Sequence, residues 1–272
     1  MRVLPVIRLQ SPRQRLVGGF LVSATAAICV AGPPNVWADG NGHGNGNGNG
    51  NGNGVKAVPF VFVGTAAQCS PAPAGSRIVT SAWLSGMGLP DNGGANTTAA
   101  DHATNPNKND PHTGLLLSKN GPTPDCSSAG AQITGVKGTI VTAAFHVGYD
   151  YRNGGHCGAG APRFNIDTDK GFFFVGCANA PQIPAPQDPL EWARTTSVLT
   201  TCGVECFPGP VPVGAKINSI SIVFDEGTDT ANNDTQGVGL AVLDNIDIDG
   251  KVITSGKGIA GADDDEDEQD DD

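Results

Sequence analysis

The chain has 272 residues, of which 39 are Gly, 20 are Pro and 6% are aromatic, and its formal net charge is −11. Lys and Arg are scattered singly along it, which excludes the clustered basic surface that a nucleic-acid-binding protein needs to follow phosphates. Turn-forming residues outnumber helix formers, so the composition predicts a turn-rich globular protein with long flexible stretches.

Residues 1–38 have the pattern of a secretory signal peptide. A basic region from Arg2 to Arg15 precedes an apolar run over 16–32, and small residues around Trp37 suit cleavage after Ala38. The run is shorter than the roughly 20 residues that a membrane-spanning helix needs. We therefore predict an exported chain without a membrane span after cleavage, located outside the cell or, in a bacterium, in the periplasm or at the cell surface.

Two low-complexity segments flank the remaining sequence. Residues 39–55 alternate mainly between Gly and Asn, which predicts a flexible linker. At the other end, nine of the last ten residues are Asp or Glu, and this density of like charge predicts a disordered, solvated tail over 259–272. A solubilising role, weak calcium capture and docking on a basic partner are the alternatives for the tail.

The segment between linker and tail, residues 56–258, predicts a single all-β domain. Apolar and polar residues alternate there in short runs bounded by Gly, Pro, Asn and Asp, which favours an antiparallel β-sandwich of jelly-roll type. The three successive residues Phe172, Phe173 and Phe174 predict a central strand covered on both faces. The predicted strands cover residues 58–63, 76–84, 114–118, 139–151, 161–166, 171–177, 193–199, 217–225 and 239–248.

Six cysteines remain after signal cleavage, and an even number in an exported chain favours disulfides over metal thiolates. A His156–Cys157 nucleophile pair is disfavoured because adjacent residues in an extended chain point to opposite faces. A Cys157–Cys177 disulfide would instead close the hairpin of strands 161–166 and 171–177. Of the pairings that six cysteines allow, we predict the local set, which is Cys69–Cys126, Cys157–Cys177 and Cys202–Cys206.

One carboxylate interrupts an apolar strand face. Counting by twos from Leu240 to Ile248 places Asp244 among apolar residues, where an unpaired charge would be unfavourable. Three arrangements would remove this cost. A bulge would turn the carboxylate outward, an arginine such as Arg163 or Arg194 would pair with it, or a bound cation would neutralise it. We take as a hypothesis that Asp244 and Asp225 belong to one structural calcium or salt-bridge site, with calcium as the candidate cofactor.

The terminal stretch AVLDNIDIDG, preceded by SISIVFDEGTDT, resembles the closing strands of secreted jelly-roll domains, including many carbohydrate-binding modules. The resemblance covers roughly the last 35 residues before the tail. It implies a place in the fold for Asp244 and Asn245, and it implies no binding role for either residue.

The sequence contains few residues in the patterns of known catalytic sites. It has no GxSxG, no HExxH, no phosphate-binding loop and no dinucleotide fingerprint. A glycoside hydrolase needs only two carboxylates, which Asp225, Glu226, Asp244 and Asp247 would supply. A secreted glycoside hydrolase is therefore the less favoured alternative, and whether the protein is an enzyme is left open, with the balance against it.

A binding module needs a surface that contacts its ligand. Trp83 and Trp192 are the candidate aromatic platforms, with a core position as the alternative for each. Arg163 and Asn165 share one strand face, where they would bind a ligand together or pair with the abundant Asp residues. We predict a secreted, non-catalytic binding module for carbohydrate or another extracellular ligand, with a polysaccharide or a surface component as partner. A surface, adhesion or matrix protein is the alternative.

Overall fold

A computed structural model describes residues 54–76, 78–90, 112–229 and 238–261. The predicted signal peptide, all but the end of the predicted linker, and the residues from 262 onward lie outside the described residues. The elements in chain order are β1 (Lys56–Val63), α1 (Ala66–Cys69), β2 (Val79–Ser85), β3 (Thr113–Lys119), β4 (Ser127–Thr134), β5 (His146–Arg152), β6 (Arg163–Thr168), β7 (Gly171–Gly176), β8 (Gln182–Pro184), β9 (Trp192–Val198), β10 (Cys206–Phe207), β11 (Ile217–Phe224), β12 (Leu240–Ile248), β13 (Lys251–Ile253) and β14 (Ile259–Gly261).

The strands form two sheets. A six-stranded sheet has the order β1-β4-β11-β6-β7-β10, and an eight-stranded sheet has the order β14-β2-β3-β12-β5-β9-β8, with β13 paired to β12. Every pair of strands is antiparallel. The predicted all-β, antiparallel, sandwich-like fold is confirmed, and its jelly-roll connectivity stays a prediction.

The core lies between the sheets because the alternation sends one face of each strand inward. In β11, Ile220, Ile222 and Phe224 are fully buried on the inner face, whereas Ser219 and Ser221, on the outer face, are half-buried. Burying an aliphatic or aromatic side chain of this size stabilises the fold by about 1.5 to 3 kcal/mol. The six-stranded sheet can therefore carry polar groups on its outer face.

Several elements differ from the sequence-based expectation, among them the unpredicted α1, β8, β10 and β13. Strand β4, with the sequence SSAGAQIT, lies between β1 and β11, although its small residues lack a strand signature. A Cβ at Gly130 would lie 2.4 Å from the ring of Phe60, so the close approach of that ring requires glycine there. The predicted strand over 139–151 begins only at His146, and turns precede it.

The sheet also extends beyond the predicted domain end at residue 258. Strand β14 pairs with β2, with Ile259 opposite Ala82 and Gly261 opposite Thr80. The predicted tail therefore begins too early, because residues 259–261 belong to the eight-stranded sheet.

Three disulfides crosslink the chain, and they are the three that the sequence predicted. The Cα–Cα distances are 5.9 Å for Cys69–Cys126, 5.3 Å for Cys157–Cys177 and 5.8 Å for Cys202–Cys206. Structural disulfides persist in oxidising compartments. Within the described ranges, no helix is both long and apolar enough to cross a membrane.

The disulfides should differ in their contribution to stability. Cys157–Cys177 closes a sequence separation of 20 residues and Cys202–Cys206 one of only 4. Replacing both cysteines of the longer loop by Ala should lower the free energy of unfolding by about 3 kcal/mol, against about 2 kcal/mol for the shorter loop. Urea denaturation of the two double variants measures the difference. An equal or larger loss from the Cys202/Cys206 variant would contradict this order.

Candidate functional site

The outer face of the six-stranded sheet carries a continuous row of polar and aromatic side chains. Its members lie opposite one another in the register of neighbouring strands, about 4.8 Å apart. The same strands send Ala131, Ile222 and Phe164 to the inner face, where all three are buried. From β1 to β10 the row consists of Val58, Gln132, Ser221, Asn165, Phe174 and Phe207.

The polar part of this row, Gln132, Ser221 and Asn165, retains groups for a ligand, and we call it the polar row. The Nδ2 of Asn165 and the hydroxyl of Ser221 make no hydrogen bond with any described residue. Gln132 donates from Nε2 to the carbonyl of Ile220 at 2.8 Å, which leaves its Oε1 as an acceptor. All three side chains are half-buried. The row therefore presents donors and acceptors on a partly desolvated surface.

Arg163, at the start of β6, holds Asn165 in place. Its Nε donates to Asn165 Oδ1 at 3.0 Å, so the Asn165 amide is oriented with Nδ2 away from Arg163. The guanidinium also binds Asp225 through two hydrogen bonds of 2.6 and 2.7 Å, and it donates to the Gly160 carbonyl at 2.7 Å. The sequence left ligand binding and Asp pairing as alternatives for Arg163. The structure shows the Asp pairing.

Three phenylalanines lie beside the polar row, and we call Phe172, Phe174 and Phe207 the phenylalanine patch. Phe172 is 40% and Phe207 is 54% exposed. Ring centroids are 5.0 Å apart for Phe172 and Phe174, and 6.4 Å apart for Phe174 and Phe207. The Arg163 guanidinium lies 5.4 Å from the Phe174 ring centroid, a cation–π contact. The patch is thus held by ring contacts while part of its surface stays open.

The patch corrects the prediction that Phe172, Phe173 and Phe174 form a central strand covered on both faces. Strand β7 lies next to the edge strand β10, and only Phe173 points into the core, where it is 7% exposed. Phe172 and Phe174 lie on the outer face. The run of aromatics reflects a partly exposed surface on one side of the strand and the core on the other.

Neither predicted tryptophan platform is available to a ligand. Trp83 is 6% exposed, and its Nε1 donates to the carbonyl of Ala57 at 2.8 Å inside the core. Trp192 is 1% exposed and packs with Leu89 and Val242 in a second apolar cluster. The assignment of Trp83 and Trp192 to a ligand site is therefore wrong, because both indoles are buried.

The structure does not bring Asp225 and Asp244 into one site, and Asp225 alone forms the salt bridge that the hypothesis allowed. Asp225 follows β11 in the six-stranded sheet and binds Arg163, whereas Asp244 lies in β12 of the eight-stranded sheet. Asp244 accepts hydrogen bonds from the amides of Leu89 at 2.9 Å and Asn245 at 2.6 Å. Across the part of the chain that the structure describes, no group of three or more His, Cys, Asp or Glu is arranged to hold a metal ion.

A β-bulge does occur at Asp244, yet it does not turn the carboxylate outward. The register with β5 shifts between Asp244 and Asp247, and Asn245 has a φ of 44°. Asp244 nevertheless stays 3% exposed. Burial raises the pKa of Asp244 to about 6; the amides of Leu89 and Asn245 oppose the rise, and the charge of Asp150 adds to it. Arg194, which was a candidate partner, binds Asp150 instead.

A buried ammonium group takes the position near Asp225 where the sequence suggested a cation. Lys119 is fully buried, and its Nζ donates to the carbonyls of Thr123, Asp125 and Asp225 at 3.2, 3.0 and 2.8 Å. It also lies 2.9 Å from the carboxylate of Asp125. Carbonyl and carboxylate oxygens are ligands that calcium prefers. Here the lysine ammonium supplies the positive charge.

The carboxylates considered for glycoside hydrolysis are split between the sheets. Glu226, which follows β11 as Asp225 does, lies 2.5 Å from His156 Nε2. Asp244 and Asp247 belong to β12 in the other sheet. Cys157, beside His156, is oxidised in its disulfide and so is not a thiolate nucleophile.

The chain matches no protein-family model and no curated protein. The resemblance to carbohydrate-binding modules therefore stays a prediction.

Asp244 should give the protein an unusual pH dependence. Because its folded-state pKa is about 6 against an ordinary value of 3.8, the folded state binds more protons than the unfolded state between these pH values. The contribution of Asp244 to the free energy of unfolding is therefore largest near pH 4. It falls by at most about 3 kcal/mol as the pH rises to 7. Asp244→Asn should flatten the curve of unfolding free energy against pH over this interval.

Urea denaturation at several pH values measures this effect. Asp169→Asn is a control of opposite sign, because the amide of Lys216 lowers the pKa of that exposed carboxyl. If wild type and Asp244→Asn kept parallel pH curves, the assignment of the raised pKa to Asp244 would be contradicted.

Lys119 should be necessary for stability. Lys119→Met removes the cation and leaves the carboxylate of Asp125, whose side chain is 5% exposed, without its charge partner. Loss of one member of a buried ion pair typically lowers the free energy of unfolding by about 3 to 5 kcal/mol. Adding Asp125→Asn to Lys119→Met should recover part of that loss. A decrease below about 1 kcal/mol in urea denaturation of the single variant would count against this role.

Proposed function

We propose that this protein is an exported, non-catalytic binding module whose six-stranded sheet binds an extended polysaccharide on its outer face. The observation that carries the proposal is the cross-strand row in which the polar row lies beside the phenylalanine patch. Sugar residues present hydroxyl groups at their edges and apolar C–H groups on their ring faces. Amide and hydroxyl groups suit the edges, and exposed phenyl rings suit the ring faces.

The shape of the surface favours a polymer. Six strands at the usual spacing make the row about 24 Å long. Small molecules are generally taken up in enclosed pockets, which surround most of their surface. A long, open face instead contacts several successive residues of an extended chain.

The charge of the surface favours a neutral polymer. Arg163 is a cation in contact with the polar row, and its two hydrogen bonds to Asp225 pair it with a carboxylate. The groups that remain for a ligand, on Gln132, Ser221 and Asn165, are uncharged. The net charge of the chain, −11, further disfavours an acidic polysaccharide.

Arg163 acts here as a positioning residue. It contacts Asn165 and the Phe174 ring together, so it sets the relation between the polar row and the phenylalanine patch. Because the guanidinium is planar and multidentate, lysine at this position would not reproduce the arrangement.

A surface or matrix protein is the second candidate. The exposed rings of Phe172 and Phe207 also suit self-association, since exposed apolar patches often mark protein contacts. The experiment below separates the two candidates, because self-association depends on protein concentration and requires no glycan.

The test is retention of the oxidised chain, from Asp39 onward, on insoluble cellulose, chitin, xylan and mannan. We expect retention on at least one of them. Asn165→Ala should weaken the affinity about fivefold, since one hydrogen bond contributes about 1 kcal/mol. Phe207→Ala should weaken it by a similar factor through the lost ring contact. Because Lys119 supplies the cation near Asp225, a chelator should leave retention unchanged.

The matched control is Ile259→Ala, which removes an exposed apolar side chain from the edge of the eight-stranded sheet. It should retain wild-type affinity. Thermal unfolding of each variant separates a lost contact from a lost fold. Absence of retention on every polysaccharide would refute the proposal, and concentration-dependent self-association in that case would favour the surface or matrix protein.

A further inference from the structure

A second polar surface lies on the eight-stranded sheet, away from the row described above. It is a small cleft with a volume of about 130 Å³. Its side chains come from β9, the β12 bulge and β13, and they combine charged, polar and apolar groups. Its lining includes Arg194, Thr196, Asn245, Asp247 and Val252.

The cleft exists because one strand places no side chain there. Thr196, Gly148, Asp247 and Val252 lie opposite one another across four strands. Gly148 leaves a gap between the side chains of Thr196 and Asp247. A Cβ at Gly148 would lie 2.3 Å from the carbonyl oxygen of Thr195, so the position does not accept a larger residue without movement.

The β12 bulge adds a further polar group to the rim. Asn245 is the inserted residue, and its left-handed backbone, with a φ of 44°, directs the side chain toward β5. Its Nδ2 donates to Asp150 and to Gln187, at 2.7 Å in each case. Its Oδ1 therefore stays available as an acceptor. Bulges recur beside binding sites because they redirect a side chain in this way.

Arg194 presents an open donor edge in the cleft. Its Nε and Nη2 bind the carboxylate of Asp150 at 2.7 and 2.8 Å, and Asp150 is fully buried. This pairing uses one side of the guanidinium. The Nη1 group makes no hydrogen bond with the described residues, and the Arg194 side chain is 35% exposed. The buried carboxylate thus fixes a guanidinium whose outer edge faces solvent.

Asp247 supplies acceptors across the cleft from Arg194. Its Oδ1 accepts from the amide of Gly250 at 2.7 Å, and its Oδ2 lies 3.3 Å from His146 Nε2. A carboxylate has about four lone-pair positions, so it can accept further hydrogen bonds. Val252, which is 52% exposed, adds an apolar wall beside it.

We propose that this cleft binds a single neutral sugar residue, as a site separate from the polysaccharide-binding face. Asp150 neutralises the charge of Arg194. The negative charge of Asp247 then remains in the cleft and repels a ligand carboxylate. Neutral hydroxyl groups accept from Arg194 and donate to Asp247. The ring C–H groups contact Val252. A residue of this size matches a cleft much smaller than a drug-binding pocket.

The test uses ¹⁵N-labelled protein titrated with glucose, mannose, galactose or N-acetylglucosamine. Binding of at least one should shift the amides of Thr196, Asn245 and Gly250 in a saturable manner. Thr196→Val and Asp247→Asn should each weaken the affinity at least threefold, and the spectrum itself reports whether each variant is folded. Thr134→Val, an exposed threonine in the six-stranded sheet, is the matched control and should leave the affinity unchanged.

Two results would overturn the proposal. One is the absence of saturable shifts around the cleft with all four sugars. If only Asn165 and Ser221 responded, the cleft would be refuted while the polysaccharide-binding face would be supported. The other is tighter binding of glucuronate than of glucose, since that would show a site for a carboxylate. Conversely, shifts at the cleft with no polysaccharide retention would support this site and refute the other.

Discussion

Asp225 connects the end of the sandwich to its candidate binding face. Its carbonyl accepts a hydrogen bond from the buried ammonium of Lys119, and its carboxylate binds Arg163 through both oxygens. Arg163 in turn holds Asn165 and the Phe174 ring. A charge in such a network is unfavourable without its partner, so each group restrains the next. The orientation of Asn165 within the polar row therefore depends on residues outside the row.

The two faces of each sheet serve different purposes. The inner faces supply the apolar core, in which Ile220, Ile222 and Phe224 are fully buried. The outer face of the six-stranded sheet is then free to carry polar groups, whereas the eight-stranded sheet also buries a second apolar cluster around Trp192. The polar row uses the outer face of the six-stranded sheet, and the cleft at Arg194 uses the eight-stranded sheet. A sandwich of this kind presents two independent surfaces on one folded unit.

Much of the fold follows from local sequence patterns, whereas the site depends on contacts between distant residues. Period-two alternation identified β11, and sequence proximity identified the Cys157–Cys177 disulfide. Strand β4 was not predicted because its small residues lack a strand signature, and Gly130 is required by the ring of Phe60, which comes from another strand. Trp192 was misassigned because the cluster that covers it forms only in the folded chain. Asn165 was correctly placed on a strand face, but its neighbour Phe174 follows from the register of β6 and β7.

The central claim is that the outer face of the six-stranded sheet contacts the polysaccharide. The most direct measurement is a titration of protein carrying ¹³C-labelled phenylalanine rings with a soluble oligosaccharide of the polysaccharide that retains it. The ring signals of Phe172, Phe174 and Phe207 should shift, while that of Phe173, buried on the opposite side of the same strand, should not. Binding that leaves all three patch rings unchanged would contradict the account.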